Sequence, residues 1–504
     1  MRARSLVVPN RLLRIGLQPL FSRGPEAIPF SRAHRGPLFL DGTAGRFAAT
    51  GVHKNLHPGL APGANTAVAA SQLVLLCCKP WRRVAILPQR PGPFPEQRAN
   101  SERRRAEVLI YNFLLASITT TPAEISALES ARSSTSRFYH PELDALRFFA
   151  FLMVFLHHAF PHQPEFWTKL GVPSAFAAVL AGVGASGAFG VSLFFVLSAY
   201  LITELLLREK ELVGGLDVKS FYVRRILRIW PLYFFFLALA MAMQRFIPGQ
   251  HLEWRTGLAF SALAGNWYIV FAGFPSSVIF PLWSVSIEEQ FYLTWPLILR
   301  RVSQWGIAAF AVGLLVVATV TRFYLGEHHS LESQVWCNTL VQLDPIAAGI
   351  LIAVFLKGAV PQLSKLARAA MIVAGTACFA TAALYFGIKR DPLTTPRIML
   401  GYPTVALGGA LLLLAVLRDG AAPGRALVYL GRISYGLYVF HALGLLISDY
   451  VVPNQTANLA RYGLRIFVAF AATVTMAAIS YRWLETPFLR LKQRFTYVLS
   501  RPRG

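Results

Sequence analysis

Charge is scarce in this sequence, and negative charge is scarcer still: of 504 residues only 14% are charged, and 24 are Asp or Glu. With 55% hydrophobic residues and a mean hydropathy of +0.48, there is too little polar side chain to cover ordinary soluble domains. Cysteine is limited to Cys77, Cys78, Cys337 and Cys378. They show neither metal spacing nor a disulfide framework, and the adjacent pair does not easily bridge to itself. No Asp-x-Asp occurs, no internal repeat relates the two halves, and "EHH" at 327–329 lacks a third spaced ligand. A zinc site is therefore not expected, and neither is a metal-dependent, lipid-linked glycosyltransferase.

What is present is a series of apolar runs centred near 155, 198, 238, 265, 291, 313, 346, 377, 408, 440 and 474. They predict an all-α polytopic membrane protein. Loops rich in Lys and Arg stay cytoplasmic. If the weak run near 265, broken by Gly265 and Asn266, does not cross, the alternate loops on one side carry 20 Lys/Arg and those on the other carry 9. If it does cross, that bias is largely lost. The expectation is ten transmembrane helices, both termini cytoplasmic, and a re-entrant or interfacial segment at about 255–274. A multi-pass membrane protein fits this pattern.

The net charge of +25 sits in short clusters between apolar runs rather than on one polar domain. That distribution suits anionic lipid or an anionic cofactor and argues against nucleic acid. Residues 1–105 carry 17 Lys/Arg against 4 acids, many Pro and Gly, and no sustained periodicity. They read as a disordered, dispensable extension, or as the product of a start codon placed too far upstream. Within "TPAE", Thr121, Pro122 and Glu124 have the pattern of a helix start. The expected organisation is an extension over 1–137, a membrane domain over 138–492, and a basic cytoplasmic tail over 493–504.

The run "LDALRFFAFLMVFLHHAF" (143–160) carries charge where a membrane helix should carry none. Eleven steps along the chain lead from Arg147 to His158, which at about 100° per residue returns them to one face, with a rise of roughly 16 Å. His157 points elsewhere. Ionisable groups at membrane depth mark a site or pathway by default. The plainer reading is an arginine reaching lipid headgroups and a histidine bonded to a neighbouring helix.

"FYHPELDALRFFAFLMVFLHH" resembles the first-helix signature of acyltransferase family three, integral membrane enzymes that acylate sugars, in which an arginine is followed after ten residues by a catalytic histidine. "FGVSLFFVLSAYLIT", "FYVRRILRIWPLY", "PLWSVSIEEQFYLTWPLIL", "RISYGLYVFH" and "YRWLETPFLRL" continue the likeness in order, from 138 to about 492. Ala145 and Ala199 stand where glycines are common in the family, and Ser192 where an aspartate is frequent. The resemblance implies transfer of an acyl group, most often acetyl, from acyl-CoA to a hydroxyl of a glycan, a cell-surface polysaccharide or a glycosylated molecule, without a metal. A separate periplasmic esterase-like protein is a candidate partner. The main alternative is a secondary transporter of a small polar solute, which would also carry mid-membrane polar groups and a broken helix.

The resemblance also gives the candidate residues their roles. Arg224, Arg225 and Arg228 are expected to hold the phosphates of coenzyme A, because guanidinium groups bind phosphate bidentately and keep their charge. The plainer reading of that cluster is a positive-inside anchor. His158 is expected to take the acceptor's proton or, as a nucleophile, the acyl group itself. Arg147, backbone amides or Asn266 could serve the oxyanion. Glu288 and Glu289, placed beside the outer interface by the loop count, point about 100° apart. One is expected to face the site, while the other pairs with a cation or meets water. Asp344 supports either a site arginine or a structural ion pair, with Pro345 and Gly349 admitting close backbones. His441 reads as a satisfied core histidine rather than a catalytic one.

Overall fold

The computed structural model of the protein describes residues 138–389, 393–418, 423–454, 456, 458–496 and 498. The N-terminal extension and its Thr121–Pro122–Glu124 helix start lie outside these residues. Among the described residues every regular element is helical and no strand occurs. Among the described residues, six helical stretches are long and apolar enough to cross a membrane: Ser174–Val213, Val218–Met243, Gln304–Glu327, Lys365–Leu384, Thr395–Val416 and Leu459–Phe495. A seventh arises if Arg425–Arg432 and Ser434–Val451, bent by 74°, form one broken span.

Three more of the apolar runs are helices that fall short of that standard. The helix α1 (Pro141–Ala159) carries Glu142, Asp144 and Arg147; the run near 291 forms Trp283–Arg301, with Glu288, Glu289 and Gln290; the run near 346 gives only 14 residues, Leu343–Leu356. The polar groups that mark the first two as candidate site elements are also what lowers their hydropathy. The run near 265 forms two helices of eight residues, Trp254–Ser261 and Gly265–Ala272, each about 12 Å long and too short to cross. The break holds Leu263 at φ 55°.

A membrane helix should be apolar on its outside, and Gln304–Glu327 is. Val312, Val316, Val320 and Phe323 form an exposed stripe at helical spacing, which water would not tolerate and lipid covers. Its inner face buries Arg322, 1% exposed, which donates to Asp344 at 2.5 Å. Asp344 therefore belongs to a structural ion pair and not to a site arginine. By position Arg322 counts among the outer-loop cations, and its place inside the bundle leaves the loop bias stronger than that count makes it.

The bundle's centre is built on close approaches that only small residues allow. Gly190–Val213 packs on both α1 and Leu343–Leu356. A Cβ on Gly349 would lie 2.3 Å from the Val196 carbonyl and 2.8 Å from the Ala199 Cβ. The extra methyl of Ala199 is thus accommodated because the glycine stands on the opposite helix. Gly431 meets the Asp144 backbone in the same way: a Cβ there would lie 1.9 Å from the Asp144 carbonyl oxygen. This contact ties the bent C-terminal pair to the start of α1.

Candidate active site

Five helices each turn one face to a common cavity. Along Gly190–Val213 the lining residues include Phe194, Phe195, Ser198, Leu201 and Glu209; along Val218–Met243 they are Phe221, Arg224, Arg225, Arg228 and Ile229. Trp283–Arg301 contributes Ser284, Glu288 and Tyr292, Ser434–Val451 contributes Tyr435 and Tyr438, and α1 contributes Asp144 and Arg147. Steps of three and four residues recur because that is what one helix face presents. The four arginines and Lys492 outnumber Asp144, Glu209 and Glu288 in the lining, so the cavity favours an anionic ligand.

The four arginines are not equivalent. Arg147 donates to Asp144 at 2.8 Å, one turn away. Arg224 donates to Glu209 at 2.6 Å and to the Phe495 carbonyl at 2.7 Å. It therefore holds two chain segments together as well as facing the cavity. Arg225 lies over the rings of Phe221 and Tyr292, 5.2 and 5.4 Å from their centroids, and its Nε has no hydrogen-bond partner. Arg228 lies one turn beyond Arg224 on the lining face. Lys492 at the end of the membrane domain and Thr496 and Val498 of the tail line the cavity, and the Phe495 carbonyl accepts from Arg224.

Glu288 faces the cavity and accepts from Ser198 Oγ at 2.9 Å and from Tyr292 at 3.1 Å. Glu289 turns away, accepts from Trp230 Nε1 at 3.0 Å, and has a second oxygen without a hydrogen-bond partner. The glutamate pair does not sit at the interface opposite the arginines. It lies level with them, since Tyr222 on the arginine helix donates to the Leu293 carbonyl at 2.6 Å. A count of loop charges orients a helix but does not fix the depth of a residue along it. Asn266 is engaged with the Cys337 carbonyl, Thr339 and Gln290, which leaves it poorly placed to serve an oxyanion.

His158 lies beyond the far end of the cavity and is not part of its lining. Arg147 and His158 share a helix phase; Tyr438 on Ser434–Val451 lines the cavity with Arg147, and its ring lies 5.5 Å from that of His441. Its hydroxyl is 2.6 Å from Ser284 Oγ and donates to the Pro281 carbonyl at 2.9 Å. His441 is fully buried, with Nε2 3.2 Å from His158 Nδ1. His157 points away, its Nδ1 donating to the Gly184 carbonyl at 2.8 Å, and its ring stacks on His162. His441 is buried and hydrogen-bonded, as a core histidine would be, while Ser198, Tyr292 and Tyr438 were not singled out in the sequence. The one available signal was the spacing of Tyr438 and His441, which places both on one helix face. Among the described residues, no group of three His, Cys, Asp or Glu is placed to hold a metal.

The chain is similar to known O-acetyltransferases. The peptidoglycan O-acetyltransferase OatA of Listeria monocytogenes is 27% identical over 381 residues, covering 70% of this chain and 56% of that protein. A putative O-acetyltransferase of Staphylococcus aureus strain MSSA476 is 26% identical, and the O-acetyltransferase OatA of Staphylococcus aureus strain NCTC 8325 is 27% identical; each match covers 69% of this chain and 57% of the relative. The chain thus spans little more than half the length of these relatives. No solved structure matches it. The family profile described as an acyltransferase domain matches residues 140–482, a range that takes in α1, the arginine helix, the Glu288 helix and His441, and on that match the chain belongs to this acyltransferase family.

Proposed function

We propose that the protein transfers an acyl group, acetyl in the first instance, from acyl-CoA to a hydroxyl of a glycan or glycosylated molecule. The observation that carries this reading is the cavity itself: it is lined by Arg147, Arg224, Arg225 and Arg228 and by Ser284 and Tyr438, and Tyr438 packs on His441, the neighbour of His158. Coenzyme A has that shape, with phosphates at one end and a thin neutral arm bearing the thioester at the other. Arg225, Arg228 and Arg147 would meet the phosphates. The arm would run past Ser198 and Glu288 towards Ser284 and Tyr438. The roughly 16 Å rise from Arg147 to His158 suits an extended arm of this kind.

In the reaction the acceptor oxygen forms a bond to the thioester carbon while His158 takes the hydroxyl proton. The carbon–sulfur bond then breaks, and the thiolate of coenzyme A recovers that proton from His158, which returns to its starting state. The names of the relatives support O-acetylation of a glycan, and peptidoglycan is the acceptor named for the Listeria protein. The proposed topology has ten crossings with both termini cytoplasmic, a membrane domain over 138–492, and residence in the cell membrane. The arginines then open to the cytoplasm and His158 lies towards the opposite face, where a surface glycan waits. An esterase-like partner could receive the product there. Incubating the purified protein with acetyl-labelled coenzyme A and a glycan acceptor tests the reading: label should enter the glycan as an alkali-labile ester. Label that remains on coenzyme A, while a range of glycans is offered, would overturn it.

A further inference from the structure

The proposed reaction needs a bare, basic nitrogen on His158, and the neutral ring has two tautomers of which only one leaves a given nitrogen bare. The hydrogen-bond partners decide between them. His158 Nδ1 lies 2.9 Å from the Val154 carbonyl and 3.2 Å from His441 Nε2. A carbonyl oxygen only accepts, so Nδ1 must carry the proton, and His441 Nε2 must then present a lone pair. The same result follows independently from the other side: His441 Nδ1 lies 2.5 Å from the Tyr438 carbonyl, which forces the His441 proton onto Nδ1 and leaves its Nε2 bare. Two separate carbonyls thus impose one consistent chain, with Nδ1–H of His158 shared between Val154 and His441, and Nδ1–H of His441 given to Tyr438.

We infer that His441 is a positioning residue for His158: its bare Nε2 holds the Nδ1–H tautomer and ring orientation, so that His158 Nε2 is the atom that exchanges the acceptor's proton. The contacts around the pair fit that role. Phe280 packs on the His158 ring at 5.1 Å, and Phe151 meets His441 edge-on at 6.4 Å. The Val154 carbonyl belongs to the turn of α1 that carries His158 and favours the tautomer locally. His441 adds a second acceptor from another helix, and its interaction strengthens when His158 becomes an imidazolium with both nitrogens protonated. This inference rests on the proposed function for its purpose, but its geometric content does not.

The test therefore has two arms. In 15N-histidine-labelled full-length protein, with the His158 signals identified by their loss in His158→Gln, the resting enzyme should show a protonated Nδ1 and a bare Nε2. In His441→Phe the Nε2–H form should become populated; in His441→Gln, whose side-chain oxygen can accept from Nδ1–H, the original tautomer should persist. In the transfer assay His441→Phe should lower kcat by about ten- to hundredfold, as expected for a partner that orients a catalytic histidine, while KM for acetyl-coenzyme A stays within about twofold. His441→Gln should recover part of kcat. A protonated Nε2 in the resting enzyme, or a folded His441→Phe with wild-type kcat, overturns the inference. If wild-type protein transfers no acetyl group, the functional reading fails, while the tautomer measurement still decides the geometry. If His441→Phe does not fold, equal kcat in wild type and a His441→Leu variant that folds would overturn it, and loss of kcat with retained donor KM would support it.

Discussion

Replacing His158 and His157 one at a time by alanine separates chemistry from packing, because the two neighbours are matched in burial but face different partners. His158→Ala removes the proposed proton acceptor. General-base catalysis is typically worth 10²–10⁴-fold, or about 3–5 kcal/mol of barrier, so kcat should fall by at least about a hundredfold. It also leaves the fully buried His441 Nε2 without its donor, and His157→Ala likewise leaves the Gly184 carbonyl without one. A stranded buried polar group costs about 1–3 kcal/mol, so both variants should lose similar amounts of thermal stability. His157→Ala should nevertheless keep its transfer rate within about threefold, since its hydrogen-bond partner belongs to the 174–187 helix, which contributes nothing to the cavity lining. The assay is acetyl transfer per folded molecule, with coenzyme A affinity measured by titration calorimetry; neither variant should alter that affinity. An inactive His157→Ala beside an active His158→Ala would refute both the helical phase argument and the assignment of the base.

Three further outcomes follow from other parts of the bundle. Arg225→Ala and Arg228→Ala should each weaken coenzyme A binding by roughly ten- to hundredfold, the range of one charge-assisted hydrogen bond, with lysine restoring only part because it lacks the planar fork; titration showing unchanged affinity in both would reduce the cluster to an anchor. Single cysteines at 328 should react with a membrane-impermeant maleimide from outside and those at 362 should not; native Cys337 stays silent because it is buried and desolvation pushes its thiol well above the usual range, and labelling at 362 would show that the segment near 265 crosses. Asp344→Ala should destabilise the protein by about 3–5 kcal/mol by stranding the buried Arg322, while replacing both partners by leucine should restore most of the loss; thermal unfolding in detergent reads both, and an unaffected single variant would contradict the ion pair.

The helices were legible because membrane packing obeys a one-dimensional rule. Apolar length and breakers appear directly in the sequence, so the runs near 155, 198, 238, 291, 313, 346, 377, 408, 440 and 474 are all helical, and Gly265 and Asn266 mark the place where 254–272 divides into two short pieces. Loop charge was less safe as a guide. Arg322 looks like a loop cation by position, yet an acid 22 residues away draws it into the bundle. The 74° bend between Arg432 and Ser434 has no proline or glycine at the break, and no local pattern announced it.

The site was legible by face but not by partner, and the difference is physical. Helical phase puts Arg224 and Arg228 on one side, separates Glu288 from Glu289, and turns His157 away from His158, because each of these is a relation within one helix. Which groups are already engaged depends on contacts between helices far apart in sequence. Arg224 meets a carbonyl 271 residues away, Glu288 meets Ser198 across 90 residues, and His158 meets His441 across 283. A lone histidine in an apolar run therefore reads as ordinary core, and only the folded bundle shows that its bare nitrogen faces another histidine. The same limit holds for the Arg147–His158 stripe. Phase records that two residues share a face, but not that Tyr438 from a distant helix lines the same cavity as Arg147 and packs on His441.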